Sequence, residues 1–162
     1  MKIISSFFFL VLTLLFLTVA LESRQPKNIA IYDILRLDSS EIRSYMKTNY
    51  AEPEWDKDSK CWISKTEDFE ITVFPYKDSV VSVRIELAKA VLLHETLEMI
   101  GFVNKPPSRK TECHMIWQNA YENIYSLTIS HPCLQQKPVS NNFNVLTIIP
   151  NESRYKEWEE KR

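Results

Sequence analysis

The sequence predicts an α+β domain, an antiparallel sheet with helices on one face, and three observations carry that reading. Apolar and polar residues alternate singly over 69–73 and 81–87, as strands with one wet and one dry face require. Two other stretches, near 39–49 and 88–100, space their apolar residues at helical intervals. Aromatic and cysteine landmarks also recur 52 positions apart: Tyr50 and Cys61 are echoed by Phe102 and Cys113, and Phe69-Glu70 by Tyr121-Glu122. A duplicated α-β-β-β unit, with pseudo-repeats over 38–87 and 88–150, accounts for that spacing. A single unduplicated domain predicts almost the same elements.

The chain opens with Lys2 and then nineteen uncharged residues, 3–21. A positive start, an apolar run and small residues at Thr18 and Ala20 form a secretory signal, residues 1–20, cleaved after Ala20. The run is also close to the roughly 20 residues that span a bilayer. An uncleaved signal anchor, with Lys2 kept inside, is therefore the second reading. Both send the folded part, 25–150, out of the cytosol, either secreted or periplasmic or held by a single membrane pass. The membrane is then touched only through this segment.

Asp38-Ser39-Ser40-Glu41 has the form of a capping box, flanked by Leu37 and Ile42 as a hydrophobic staple. It predicts a first helix over 39–49. Residues 52–60 read as a polar loop around Pro53 and Trp55. A short strand opens at Cys61. The alternating stretches through Val73 and from Val81 then make a hairpin, with turn chemistry over 75–79. A second helix is predicted over 88–100, with Ala90, Leu93, Leu97 and Ile100 on its apolar arc and Gly101, the only glycine, as its C-terminal cap. Strands follow near 113–117, 124–129 and 145–149. The tail, 151–162, is charged and is expected to fray or form a solvated helix.

Composition excludes more than it selects. The formal net charge is −1, and removing Lys2 with the signal leaves 19 cations against 21 acids. Nucleic-acid binding relies on a clustered positive surface, so it is not expected. The basic stretch from Lys105 to Lys110 reads as a solvated turn. Phosphate-cradling loops, dinucleotide fingerprints and nucleophile elbows all need glycines. One glycine cannot supply them, so no cofactor is expected. Leu93-His94-Glu95-Thr96-Leu97-Glu98 lacks the second histidine of a helical zinc-protease motif. Glu52, Glu54, Asp56 and Asp58 lack the glycine of a calcium loop, with Cys61 in its place.

All three cysteines lie in the exported part, where two of them should pair. Cys113 with Cys133 would clamp the base of a hairpin turning near Asn123. Cys61 with Cys113 is the alternative. Cys113-His114 and His131-Pro132-Cys133 hold the ligand types of a zinc site. Neighbours on a strand point to opposite faces, so Cys113 and His114 do not easily share a metal, and the set Cys113, His131, Cys133 is a weaker reading. No catalytic constellation stands out. Among the aromatics, Trp62, Trp117, Tyr121 and Tyr125 fall on strands and read mainly as core. Trp55 and Tyr76 fall in polar loops and are the candidate binding residues. Asn151-Glu152-Ser153 is a glycosylation sequon if the source is a eukaryote.

These features point to an exported, non-catalytic domain that binds another protein, as an inhibitor or an immunity protein would. A small-ligand carrier is the alternative, and an enzyme of unfamiliar design is a third. A deep apolar pocket would mark the carrier and a convergent polar cluster the enzyme. A flat surface with exposed aromatics would mark the binder.

Overall fold

The computed structural model describes residues 28–130, 133–134, 137–138 and 142–161, with 133–134, 137–138 and 142–143 described by their backbone alone. The expected signal or anchor, residues 1–20, lies outside the described residues. No described helix is long and apolar enough to cross a membrane.

Eight strands form one antiparallel sheet. In chain order they are β1 (Glu54–Asp56), β2 (Cys61–Lys65), β3 (Phe69–Tyr76), β4 (Ser79–Leu92), β5 (Arg109–Lys110), β6 (His114–Tyr121), β7 (Ile124–Ser130) and, after two others, β10 (Asn142–Ile149). Across the sheet the order is β1-β2-β3-β4-β10-β7-β6-β5. The intervening β8 (Cys133–Leu134) and β9 (Lys137–Pro138) pair only with each other. Four helices complete the fold: α1 (Ile31–Leu35), α2 (Ile42–Asn49), α3 (Leu93–Met99) and α4 (Glu152–Glu160).

Alternation along the strands decides which face becomes the core. One cross-strand row runs Trp55, Trp62, Val73, Val83, Ile148, Leu127, Trp117, each residue the register partner of the next. A second row on the same face runs Ser64, Ile71, Ile85, Leu146, Ile129, Met115. Val73, Val83, Ile71, Ile85, Leu127, Ile129, Leu146 and Ile148 are fully buried. Ile31 and Ile34 of α1, Ile42 and Met46 of α2, and Leu97 of α3 join them in one cluster. The opposite face carries Thr72, Arg84, Thr147 and Thr128 in register. It is the polar half of the same alternation.

Several predicted elements are revised. The capping motif forms: Glu41 Oε2 accepts from the Asp38 amide at 3.0 Å, and Asp38 Oδ1 accepts from the Ser40 amide at 2.9 Å. Residues 39–41 nevertheless make a turn, and regular helix starts at Ile42. The predicted second helix is shorter than 88–100, because residues 88–92 continue β4. Leu92 and Val91 pair with Asn142 and Phe143 of β10, so the neighbouring strand overrides a helical spacing. The helix begins at Leu93, where Glu95 Oε2 accepts from the Leu92 amide at 3.0 Å. Its end is as expected. Gly101 adopts φ +74, its amide donates to Glu98 O, and the Phe102 amide donates to Leu97 O. This is the Schellman arrangement that calls for glycine.

The helices are not confined to one face. Phe74 points away from Val73 by strand alternation, and the Trp158 ring lies 5.5 Å from it. So α4 covers the outer face at the β3–β4 end. The tail, expected to fray or form a solvated helix, is a helix docked there, with Trp158 buried, Glu157 Oε1 accepting from Lys77 Nζ at 2.8 Å and from Tyr76 Oη at 3.2 Å, and Arg154 reaching Asp78 and Ser79. The basic stretch is ordered as well: Trp117 Nε1 donates to Lys105 O at 2.8 Å, and Arg109–Lys110 form the edge strand β5, their side chains still exposed.

Duplication is not shown by this topology. Each half supplies four sheet strands, and the last of each, β4 and β10, meet at the centre. Yet Phe69 opens β3 whereas Tyr121, its echo in sequence, closes β6.

Two predictions follow from packing. Trp117→Ala, at the buried end of the first row, should cost about 3–5 kcal/mol in a urea melt. Gly101→Ala meets no atom within 4 Å, so its cost should be the backbone strain alone, about 1–2 kcal/mol.

Candidate functional site

On the inner face α1, α2 and α3 pack over the core, and α2 lies beside the β1 corner. There Trp55 and Trp62 pair across strands, rings 5.1 Å apart and tilted at 60°. Trp62 is half-buried and packs on the core, while Trp55 is 41% exposed. The Arg43 guanidinium of α2 sits 5.9 Å over the Trp62 ring. With Ser39, Pro75 and Lys77, the two indoles line an open, predominantly apolar groove of about 580 Å³. Ser39 Oγ donates to Lys77 O at 2.7 Å, which joins the turn before α2 to the β3–β4 turn and braces the wall opposite Trp55.

Local sequence explains the placement. Asp56 Oδ1 accepts from the amides of Asp58 and Ser59, and Lys60 takes φ 52, so residues 57–60 turn tightly and return the chain antiparallel. Trp55 therefore lies on an edge strand, not in the polar loop expected. Two acids of that stretch, Asp56 in the turn and Glu52, are occupied in structure: Glu52 pairs with Lys47 at 2.6 Å and Arg43 at 3.4 Å, and Lys47, then Arg43, hold its carboxyl below the ordinary range.

Tyr76 closes β3 and is not brought to this groove. Its hydroxyl donates to Glu157, and the ammonium groups of Lys77 and Lys161 lie 5.3 and 5.9 Å from its ring. It serves the docking of α4. Hydrogen bonds from Lys77 and Lys161 hold the Glu157 carboxyl down at about 2.

Elsewhere the surface offers less. Two further grooves, of about 390 and 340 Å³, are also open, one between β3 and β4 beside Thr66 and one beside Tyr125 and Asn151. His94, Glu95 and Glu98 are exposed on α3, as the sequence implied. No group of three or more His, Cys, Asp or Glu that could hold a metal occurs among the described residues. His131 and the Cys133 side chain lie outside them, so neither the Cys113, His131, Cys133 set nor the Cys113–Cys133 bridge is described. Cys61 is buried and takes part in no disulfide, which removes the Cys61–Cys113 alternative. The hairpin turn does fall at Glu122-Asn123, with Tyr121 opposite Ile124 and Asn123 at φ 57.

Sequence reasoning found Trp55 but missed Trp62, Arg43, Pro75, Lys77 and Ser39. The signal for Trp62 was its pairing partner: once residues 57–60 are read as a turn, Trp55 must face Trp62. Comparison with protein-family models, with curated proteins and with solved structures finds no match.

Lowering pH tests the α4 contact. Glu157 has a depressed folded-state pKa, so its contribution is complete above the ordinary glutamate value of about 4.3 and is lost as pH falls toward about 2. Amide exchange in α4, expressed relative to the rate of an unstructured peptide at the same pH, should accelerate across that window. In Glu157→Gln it should already be faster at neutral pH, and this component of the pH response should disappear.

Proposed function

We propose that this chain is an exported, non-catalytic protein-binding domain that contacts its partner through the Trp55–Trp62 corner. The observation that carries the reading is an indole 41% exposed beside a second indole over which Arg43 sits, in an open groove lined also by Ser39, Pro75 and Lys77. Tryptophan, tyrosine and arginine are enriched at binding hot spots, and tryptophan brings a large contact area with only two rotors to freeze. The corner is pre-organised: α2 holds Trp62 from above and β2 holds Trp55 in register. A partner side chain laid on Trp55 meets a surface already in place, which keeps the ordering cost of association low.

Small-molecule carriers enclose most of their ligand's surface. The three grooves described here are open, which favours a macromolecular contact over a carried ligand. Export rests on the uncharged run over 3–21, and the remaining Cys113–Cys133 pairing belongs to the same reading, because an oxidising compartment would close it.

Comparative capture from the extracellular or periplasmic fluid of the host tests the surface. The unaltered domain and Glu122→Ala, changed on the distant β6–β7 turn, should retain the same protein. Trp55→Ala should bind it roughly 30-fold or more weakly, the loss of a hot-spot residue, while its melting temperature moves little. Equal retention by Trp55→Ala would place the contact elsewhere. A small apolar molecule released from the purified domain in native mass spectrometry would assign it to the carriers instead.

A further inference from the structure

The geometry points to Asn151 as the attachment site of an N-linked oligosaccharide, an inference that rests on the export reading above. Asn151-Glu152-Ser153 is the one Asn-x-Ser/Thr sequence in the chain, and its middle residue is not proline. The structure adds three facts that a sequence match lacks. Asn151 and Ser153 are both exposed, at the junction between β10 and α4. The Asn151 backbone is extended, at φ −139 and ψ 121, so the acceptor residue stands clear of the helix it precedes. Its carboxamide is also divided between two tasks. Oδ1 accepts from the Arg154 amide at 3.0 Å and caps α4, which leaves the Nδ2 hydrogens for substitution.

That division matters because glycosylation uses Nδ2 alone. A bond forms between Nδ2 and C1 of the first sugar of a lipid-pyrophosphate oligosaccharide. The C1–oxygen bond to pyrophosphate breaks, the lipid pyrophosphate leaves with the electron pair, and one Nδ2 proton is released. No oxidant or reductant enters. The product keeps its carbonyl oxygen, so the cap on α4 survives the modification. Around it, Glu152 is drawn to Lys156 Nζ at 2.6 Å and to the Tyr125 hydroxyl, away from the acceptor nitrogen.

Position makes the modification compatible with the proposed surface. Asn151 follows the last residues of β10, and Trp55 is on β1, four strands away. At about 4.8 Å per strand that is roughly 19 Å. An oligosaccharide there shields the β10–α4 end and leaves the tryptophan corner open.

The full-length chain, expressed in eukaryotic secretory cells and recovered from the medium or the membrane fraction, tests this by intact mass and amino-terminal sequence. The expected result is a chain carrying added hexose and N-acetylhexosamine mass that a peptide amidase removes, leaving Asp at 151. The addition should vanish in Ser153→Ala, which keeps the Asn151 cap, and persist in Ser153→Thr. An exported chain with unmodified Asn151 would overturn the site and leave export standing. Sugar that remains in Ser153→Ala would also overturn it. A chain found unmodified in the cytosol with residues 1–20 intact would overturn both the site and the export reading.

Discussion

The pairing of β4 with two partners at once governs the rest of this molecule. Fourteen residues long, β4 pairs with β3 from Ser79 to Leu87 and with β10 from Val83 to Glu86 and again at Val91 and Leu92, so Val83–Glu86 is held on both edges. A strand held on both edges has no freedom of register, because slipping by one residue would send Val83, Ile85 and Leu87 to the wet face and Arg84 and Glu86 into the core. With β4 fixed, β3 and β10 are fixed, and β2 and β7 after them. The helices add no register of their own. They close the apolar side that this pairing has already defined, and the backbone bond from the Ile29 amide to Met99 O ties the entry of the domain to the end of α3.

Wherever burial is one-sided, the fold was legible. Phe69 to Val73 and Val81 to Leu87 announce their strands because each alternate residue meets the core, and the lone glycine announces a left-handed helix end because few other residues take that backbone. Where a neighbour in space makes the decision, the sequence is silent. Ala88-Lys89-Ala90-Val91-Leu92 is good helical material, yet it lies beside β10 and extends. Glu54-Trp55-Asp56 is too short to show a period, so only the turn chemistry of Asp56 and Lys60 could have revealed a strand there. The tail was judged by its charges, although Tyr155 and Trp158, three residues apart, form the apolar stripe by which α4 docks.

The same limit applies to the candidate surface. Trp55 was visible as a tryptophan among acids. Its partners were not, because Ser39, Arg43, Trp62, Pro75 and Lys77 come from five separate segments and meet only through the folded sheet. Tyr76 shows the converse. In sequence it resembled Trp55, an aromatic beside turn residues, but the helix that reclaims it begins 76 positions later. Tertiary structure thus separated two residues that composition could not tell apart.

An open sheet of eight strands has two free margins, and here both are brief. One is the three residues of β1, with Glu54 and Asp56 on either side of the tryptophan; the other is the two residues of β5, Arg109 and Lys110, after a pair of prolines. Both terminal strands are short and charged, and stacking like ones would bring like charges together, which disfavours edge-to-edge pairing there. The exposed indole thus sits on a short strand between two carboxylates, a border that disfavours the addition of another strand.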